Sequence, residues 1–179
     1  MSGNQDEIFG KWAPIYRKLG YWPRPVWLGT KECHLPRWQR SDSEIPQGDL
    51  DSWLKHYRQF GLAILNGSPF PDGTTLGTLD FDHNAYVPIA KSLLGNPPCG
   101  RFGSKGIAYF VRVRGGLGNH KFKVRGDANA EYGQVLECLF KKAICVLPPT
   151  VHPKTNAPYR WIGRPLHEVP YSDLPIIGE

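Results

Sequence analysis

Apolar residues along this chain recur at two periods, and the switches between them mark out its elements. Ile8, Trp12, Ile15 and Tyr16 fall on one helical face that stops near Gly20. Leu50, Trp53, Leu54, Tyr57 and Phe60 repeat that spacing after Gly48-Asp49, with Gly61 as the stop, and Tyr86, Ile89, Ala90, Leu93 and Leu94 form a third helical stripe ending at Gly95. Strand-like runs separate them. Leu62–Leu65 is followed by a Gly/Pro turn region and a run through Leu76–Asp82. A β-meander then reads through Ile107–Val113, Lys121–Val124, Gln134–Phe140 and Ala143–Leu147. The Pro- and Trp-rich stretch from Tyr21 to Gln47 reads as irregular, its rings covering the sheet, and no internal repeat is visible.

Two acids break the strand pattern. In Leu76-Gly-Thr-Leu-Asp-Phe-Asp82 the carboxylates of Asp80 and Asp82 stand two residues apart and project from the same sheet face. Asp is depleted in strands and costly to bury unpaired, so the pair calls for Mg²⁺ or Mn²⁺, or for several Lys and Arg side chains. The competing reading ends the strand at Leu79 and makes Asp82 the cap of the following helix. Glu137 adds a third acid inside the apolar run Gln134–Phe140; two strands then supply three oxygen ligands of the kind used for phosphoryl or nucleotidyl transfer. Its alternative is an edge strand on which Glu137 pairs with Lys141 or Lys142.

With 179 residues the chain is long enough for one domain with a sizeable core, and its net charge of +6 points towards polyanions. The distribution matters more than the total. Arg101, Lys105, Arg112, Arg114, Lys121, Lys123 and Arg125 lie between the Asp pair and Glu137, so bases surround acids, as a phosphate-bearing substrate requires. Cys33, Cys99, Cys138 and Cys145 lack Cys-x-x-Cys spacing, which argues against zinc and a disulfide framework and for a reducing compartment. The start lacks the order of a signal peptide, and no apolar run approaches the roughly 18 residues of a membrane span. The expectation is a cytoplasmic protein without membrane contact. The tail from Leu174 to Glu179 reads as a linker leading to a further domain.

Two loops carry further chemistry. Arg101-Phe-Gly-Ser-Lys-Gly106 is a glycine-bracketed basic turn whose backbone and Lys105 can approach phosphate oxygens, though the local pattern by itself favours an ordinary hairpin turn. It is not a Walker A loop, which needs Gly-Lys-Ser/Thr before a helix. Pro148-Pro-Thr-Val-His-Pro-Lys-Thr-Asn-Ala-Pro-Tyr-Arg-Trp161 fixes the backbone on both sides of His152 and presents that imidazole beside Lys154 and Arg160 as a phosphate donor.

The order of these motifs, Asp-x-Asp, then Arg-x-Gly-Ser-Lys-Gly, then an apolar run with Glu, then the Pro-Pro-Thr-Val-His-Pro block, resembles the bifunctional primase/polymerase (prim-pol) domain of the archaeo-eukaryotic primase superfamily. The Gly20 to Trp38 region is similar to that family's opening Pro…Gly-x-Lys…Trp segment, and the likeness runs to about Pro175. The resemblance implies a mixed α/β, two-layer core in which an RRM-like sheet carries the acids and helices cover its back. It implies that Asp80, Asp82 and Glu137 bind two divalent ions, and that Arg101, Ser104 and Lys105 hold the incoming triphosphate. The family often has Ser-x-His in this second motif, and Gly106 stands where the His belongs, so Lys105 or His152 takes that role. Arg112, Arg114, Lys121, Lys123 and Arg125 are expected on the nucleic-acid path. The implied activity is template-dependent primer synthesis and extension, with NTPs or dNTPs, a primer strand and single-stranded DNA as partners, in a replication or CRISPR-associated protein that also carries a helicase or other domain. A catalytically silent nucleic-acid-binding module and a metal-dependent nuclease are the alternatives.

Overall fold

The computed structural model describes residues 7–123 and 133–178. Helix α1 (Ile8–Lys18) buries Phe9, Ala13 and Tyr16, spaced by four and three residues, and α2 (Gln47–His56) buries Leu50 and Trp53. Helix α3 (Val87–Leu94) ends on Gly95 in the left-handed conformation, as the sequence led us to expect. Helix α2 is shorter than its stripe. Tyr57 and Phe60 lie beyond its end and pack instead as an aromatic group with Trp27.

Among the described residues, ten strands form two sheets. The smaller has the order β1 (Trp22–Val26), β2 (Gly61–Leu65), β8 (Ile144–Leu147), all antiparallel. The larger runs β6 (His120–Lys123), β7 (Gln134–Leu139), β3 (Thr75–Phe81), β5 (Ile107–Val113), β4 (Cys99–Phe102), β9 (Arg160–Gly163). The two-residue strand β10 (Ile176–Ile177) adds in parallel to the far end of β5. The fold is thus mixed α/β. Strand β1 corrects the expectation of an irregular segment: Trp22-Pro-Arg-Pro-Val26 carries two prolines, which an edge strand tolerates because donors on one side have no ladder to join. Strands β4 and β9 were also hidden, being only four residues each and flanked by glycine and proline.

The side chains sort into layers. Leu76 of β3, Ala108 and Phe110 of β5 and Cys99 of β4 share one core with α1, α2 and the inner face of the small sheet, Leu62, Ile64, Cys145 and Leu147. The other face of the large sheet packs Leu79, Phe81, Tyr109 and Val111 against Ala90 of α3. Each fully buried large aliphatic contributes about 1.5–3 kcal/mol, so this double burial holds β3 and β5 rigid on both faces. Asp80 is carried on the face away from α3, towards the small sheet. No helix among the described residues is long and apolar enough to cross a membrane.

Candidate active site

Strand register builds the site as a row across the large sheet. Lys121 on β6 is opposite Glu137 on β7, Glu137 opposite Asp80 on β3, Asp80 opposite Ala108 on β5, Ala108 opposite Arg101 on β4, and Arg101 opposite Trp161 on β9. Residues directly opposite share a face, about 4.5–5.5 Å apart at Cβ. The two acids therefore sit side by side between cations. Ala108 is fully buried and small, so the guanidinium of Arg101 reaches across it to Asp80, at 3.7 Å between Nη2 and Oδ2. On the other flank Lys121 Nζ is 2.9 Å from Glu137.

Asp82 follows directly on β3, its N–H donating to the Val135 carbonyl at 3.1 Å. It caps no helix; the turn before α3 is capped by His83, whose ring accepts from the Ala85 N–H. Glu137 lies on an interior strand and pairs with Lys121 rather than Lys141 or Lys142. The Gln134 amide donates to Asp82 and, at 3.4 Å, to Glu137, which draws the third carboxylate to the other two. Partial burial pushes the Asp82 carboxyl above the usual carboxylate range; Asp80 and Glu137 add to this, against the Gln134 hydrogen bond and the charge of Lys105.

The Gly103–Gly106 turn docks on this strand. Gly106 has φ +60°, its N–H donates to Asn84 Oδ1 at 2.8 Å, and a Cβ there would overlap the Phe81 carbonyl. No side chain fits at 106, and the close approach is what sets Lys105 within electrostatic reach of Asp82. Ser104 is exposed on the same turn.

A basic group gathers around Arg101. The Pro148–Trp161 block is pinned to β2 by Thr150, whose Oγ1 accepts from the Leu62 N–H at 2.7 Å. It places Tyr159 beneath Arg101, 4.7 Å from guanidinium carbon to ring centroid, and His152 edge-on to Tyr159. The expectation of an openly presented His152 needs correction: it is only 1% exposed, and Nδ1 accepts from the backbone N–H groups of Lys154 and Thr155. That fixes the tautomer, leaving Nε2–H as a donor with no partner among the described residues. Burial, with Lys31, Arg101 and Lys154 nearby, lowers the His152 pKa, so the ring is neutral at pH 7. Burial opposes the Arg101 charge too, but the Cys145 sulfur, which accepts from Nη2, and the Asp80 carboxylate outweigh it and hold its pKa above the usual arginine value. Burial pushes the Cys145 thiol up and leaves it neutral, so Asp80 is the effective counter-charge.

The other expected bases divide. Lys121 and Lys123 stand at the β6 edge beside the acids. Arg112 does not join them: Nε donates to Leu174 O at 3.0 Å, Nη2 to Ser172 O at 2.8 Å, and Nη1 pairs with Asp72 at 2.8 Å, so it ties down the chain before β10. Arg114 is at the same far end of β5, and Arg125 lies outside the described residues.

A family model described as bifunctional DNA primase/polymerase, N-terminal, matches residues 15–175. The chain belongs to this family. A search of curated proteins gives no match. Prim-pol membership implies a nucleotidyltransferase-type activity with nucleotides and DNA as substrates. Three residues of this prim-pol site are not singled out by sequence. Gln134 reads there only as the start of a strand, and Lys154 only as a neighbour of His152. Lys31 sits on the turn after β1, closed by Trp27 and Glu32, and its pKa is lowered by burial and by Arg101 and Lys154, against the attraction of Asp80 and Asp82. Its one signal was the Gly-x-Lys pattern at Gly29–Lys31.

Prim-pol enzymes generally use divalent metals. Among the described residues no three His, Cys, Asp or Glu side chains are gathered tightly enough to hold one together. The donor set still fits a hard cation in kind. Asp80 and Glu137 are cross-strand neighbours, Gln134 bridges Glu137 to Asp82, and a bound cation would offset both the burial and the neighbouring acids that raise Asp82.

Proposed function

We propose that the domain is a template-dependent primase and polymerase acting at the cross-sheet row. The observation that carries this reading is the order along the row: two acids on adjacent strands, a cation on each flank, and a second group of bases behind Arg101. Asp80, Asp82 and Glu137 would hold two divalent ions, Mg²⁺ or Mn²⁺. Bound there, the ions supply activation of the attacking hydroxyl and neutralisation of charge on the α-phosphate.

The chain's own residues orient the nucleotide. Arg101, Lys31 and Lys154 present positive charge to the triphosphate, His152 donates from Nε2, and Lys105 and Ser104 approach from the opposite turn. In this region Arg101 works in a nearly buried setting, its side chain 11% exposed, where a charge-assisted contact is worth more than at the surface. Lys121 and Lys123 face the template or primer backbone. Arg112 is given a structural role instead, and Arg114 no part in the centre.

One observation favours a second reading. Arg101, Lys121 and Gln134 already compensate the three acids, as a catalytically silent nucleic-acid-binding module requires. Incubating the domain with Mn²⁺, labelled NTPs or dNTPs and single-stranded DNA separates the possibilities. New oligonucleotides establish the polymerase, binding without synthesis establishes the silent module, and shortened DNA establishes a nuclease.

A further inference from the structure

A second basic surface lies outside the row, in the loop between β1 and α2. Arg24 on β1 is wholly buried, and its guanidinium donates to Trp38 O and Arg40 O, both at 2.6 Å, to Pro23 O at 2.9 Å and to Asp42 Oδ1 at 2.7 Å. This fastens the backbone of residues 38–40 from inside and leaves the side chains of Gln39 and Arg40 exposed. They meet the turn between β7 and β8, where Gln39 Nε2 donates to Lys142 O at 3.2 Å. The result is a groove of about 650 Å³ lined by Arg37, Trp38, Gln39, Arg40, Glu44 and Lys142.

The composition of this groove is specific. Three cations face one acid, and Glu44 is turned aside to Ser41, accepting from its N–H at 2.9 Å and its hydroxyl at 2.6 Å. Arg37 makes only a loose, exposed contact of 3.9 Å with Asp49. Trp38 is half-buried, with its back on the core and its remaining surface in the groove. Cations beside a fixed aromatic surface suit a strand with phosphates along one side and bases along the other, since stacking is tolerant of sequence. Lys142 is five residues from Glu137, so the groove is within about 18 Å of the acids along the chain.

We propose that this groove binds a single nucleic-acid strand, with Arg37, Arg40 and Lys142 on its phosphates and Trp38 against a base. The proposal rests on the strand-handling role above, extending it to a holding site outside the reaction centre. The side chains can be changed without undoing the loop. Arg24 grips Arg40 by its carbonyl, and Lys142 sits at φ 54°, which asparagine adopts readily.

The test compares wild type with Arg40→Gln/Lys142→Asn and with Arg37→Gln/Lys142→Asn, each checked for an unchanged melting temperature. Binding of a fluorescent oligothymidylate is measured across salt concentrations, and a bromodeoxyuridine oligonucleotide is photo-cross-linked. We expect each double variant to lose about tenfold in affinity and to lower the log–log salt slope by about 1.4, two phosphates at about 0.7 each. Cross-links should fall on the peptide containing Trp38, while single-nucleotide extension at saturating DNA stays unchanged. Unchanged affinity and slope, cross-links confined to other peptides, or displacement by polyglutamate but not by unlabelled oligonucleotide would overturn the proposal. If wild type synthesises nothing yet shows these losses and cross-links, the groove stands and the polymerase reading fails.

Discussion

Two arginines, each nearly or wholly buried and each facing an aspartate, do opposite things in this molecule. Arg24 meets three carbonyls and Asp42 at hydrogen-bond distance, and its guanidinium lies over Trp53. Arg101 has Asp80 at 3.7 Å, the Cys145 sulfur at 3.5 Å, the face of Tyr159, and an Nε buried with no hydrogen-bond partner. A buried cation left short of acceptors is costly unless something else completes it. Arg24 is finished by the protein; Arg101 keeps donor capacity to spare. The same residue type therefore marks a structural knot in one place and, in the function proposed above, a phosphate site in the other, and the number of bonds made tells them apart.

The largest effect should come from breaking the finished one. Arg24→Met removes one partner of a buried, hydrogen-bonded pair, at a cost of about 3–5 kcal/mol. For a chain of this size that lowers the melting temperature by roughly 6–20 °C in calorimetry. Arg101→Met should cost much less, because Asp80 is partly exposed and can be solvated. Equal losses in the two variants would erase the distinction.

Asp80→Asn and Asp82→Asn test the other half of the row. Each should reduce nucleotide incorporation at least tenfold, or about 1.4 kcal/mol of barrier, in a primer-extension assay. Stability should move the other way at Asp82. Its folded pKa is raised, so its carboxylate opposes folding once pH rises through that value, and Asp82→Asn should hold or raise the melting temperature at pH 7 in metal-free buffer. A fall there would mean that Asp82 is a structural acid.

Nucleotide affinity ranks next. Lys31→Ala and Lys105→Ala should each weaken triphosphate binding by roughly 10- to 150-fold, equivalent to about 1.5–3 kcal/mol for a charge-assisted contact, with template affinity nearly unchanged. Loss confined to Lys31→Ala would place the triphosphate wholly on the Arg101 side. Loss confined to Lys105→Ala would place it on the Gly106 turn.

The smallest effect is a pH dependence. His152 has a folded pKa below its ordinary 6.5, so the unfolded chain takes up its proton first and stability is lost as pH falls through that window. Wild type should lose more melting temperature than His152→Gln on going from about pH 7.5 to pH 5. A parallel response would show that the buried ring is indifferent to its neighbours.

Much of this could be read in the sequence because the acids interrupt apolar strands. Asp80 and Glu137 stand out in strongly patterned runs, and their opposition follows once β3 pairs with β7. What could not be read is how distant loops converge. Lys31 and Lys154 are separated by more than a hundred residues and meet only through the small sheet, whose β1 is disguised by Pro23 and Pro25. Arg112 looked like a DNA-facing base because charge at a strand end usually faces solvent; its three bonds to the segment around Asp72 and Leu174 exist only in the fold. Arg24 read as part of an irregular loop for the same reason.

The most direct test of the account is titration of a non-hydrolysable nucleoside triphosphate, with and without Mn²⁺, into wild type, Arg101→Gln and Asp80→Asn. Wild type should bind more tightly with Mn²⁺. Arg101→Gln should lose at least about tenfold in both conditions, as expected for a charge-assisted phosphate contact, while Asp80→Asn should lose only the gain from Mn²⁺. Affinity unchanged in both variants would contradict the claim that the cross-sheet row is the nucleotide-binding centre.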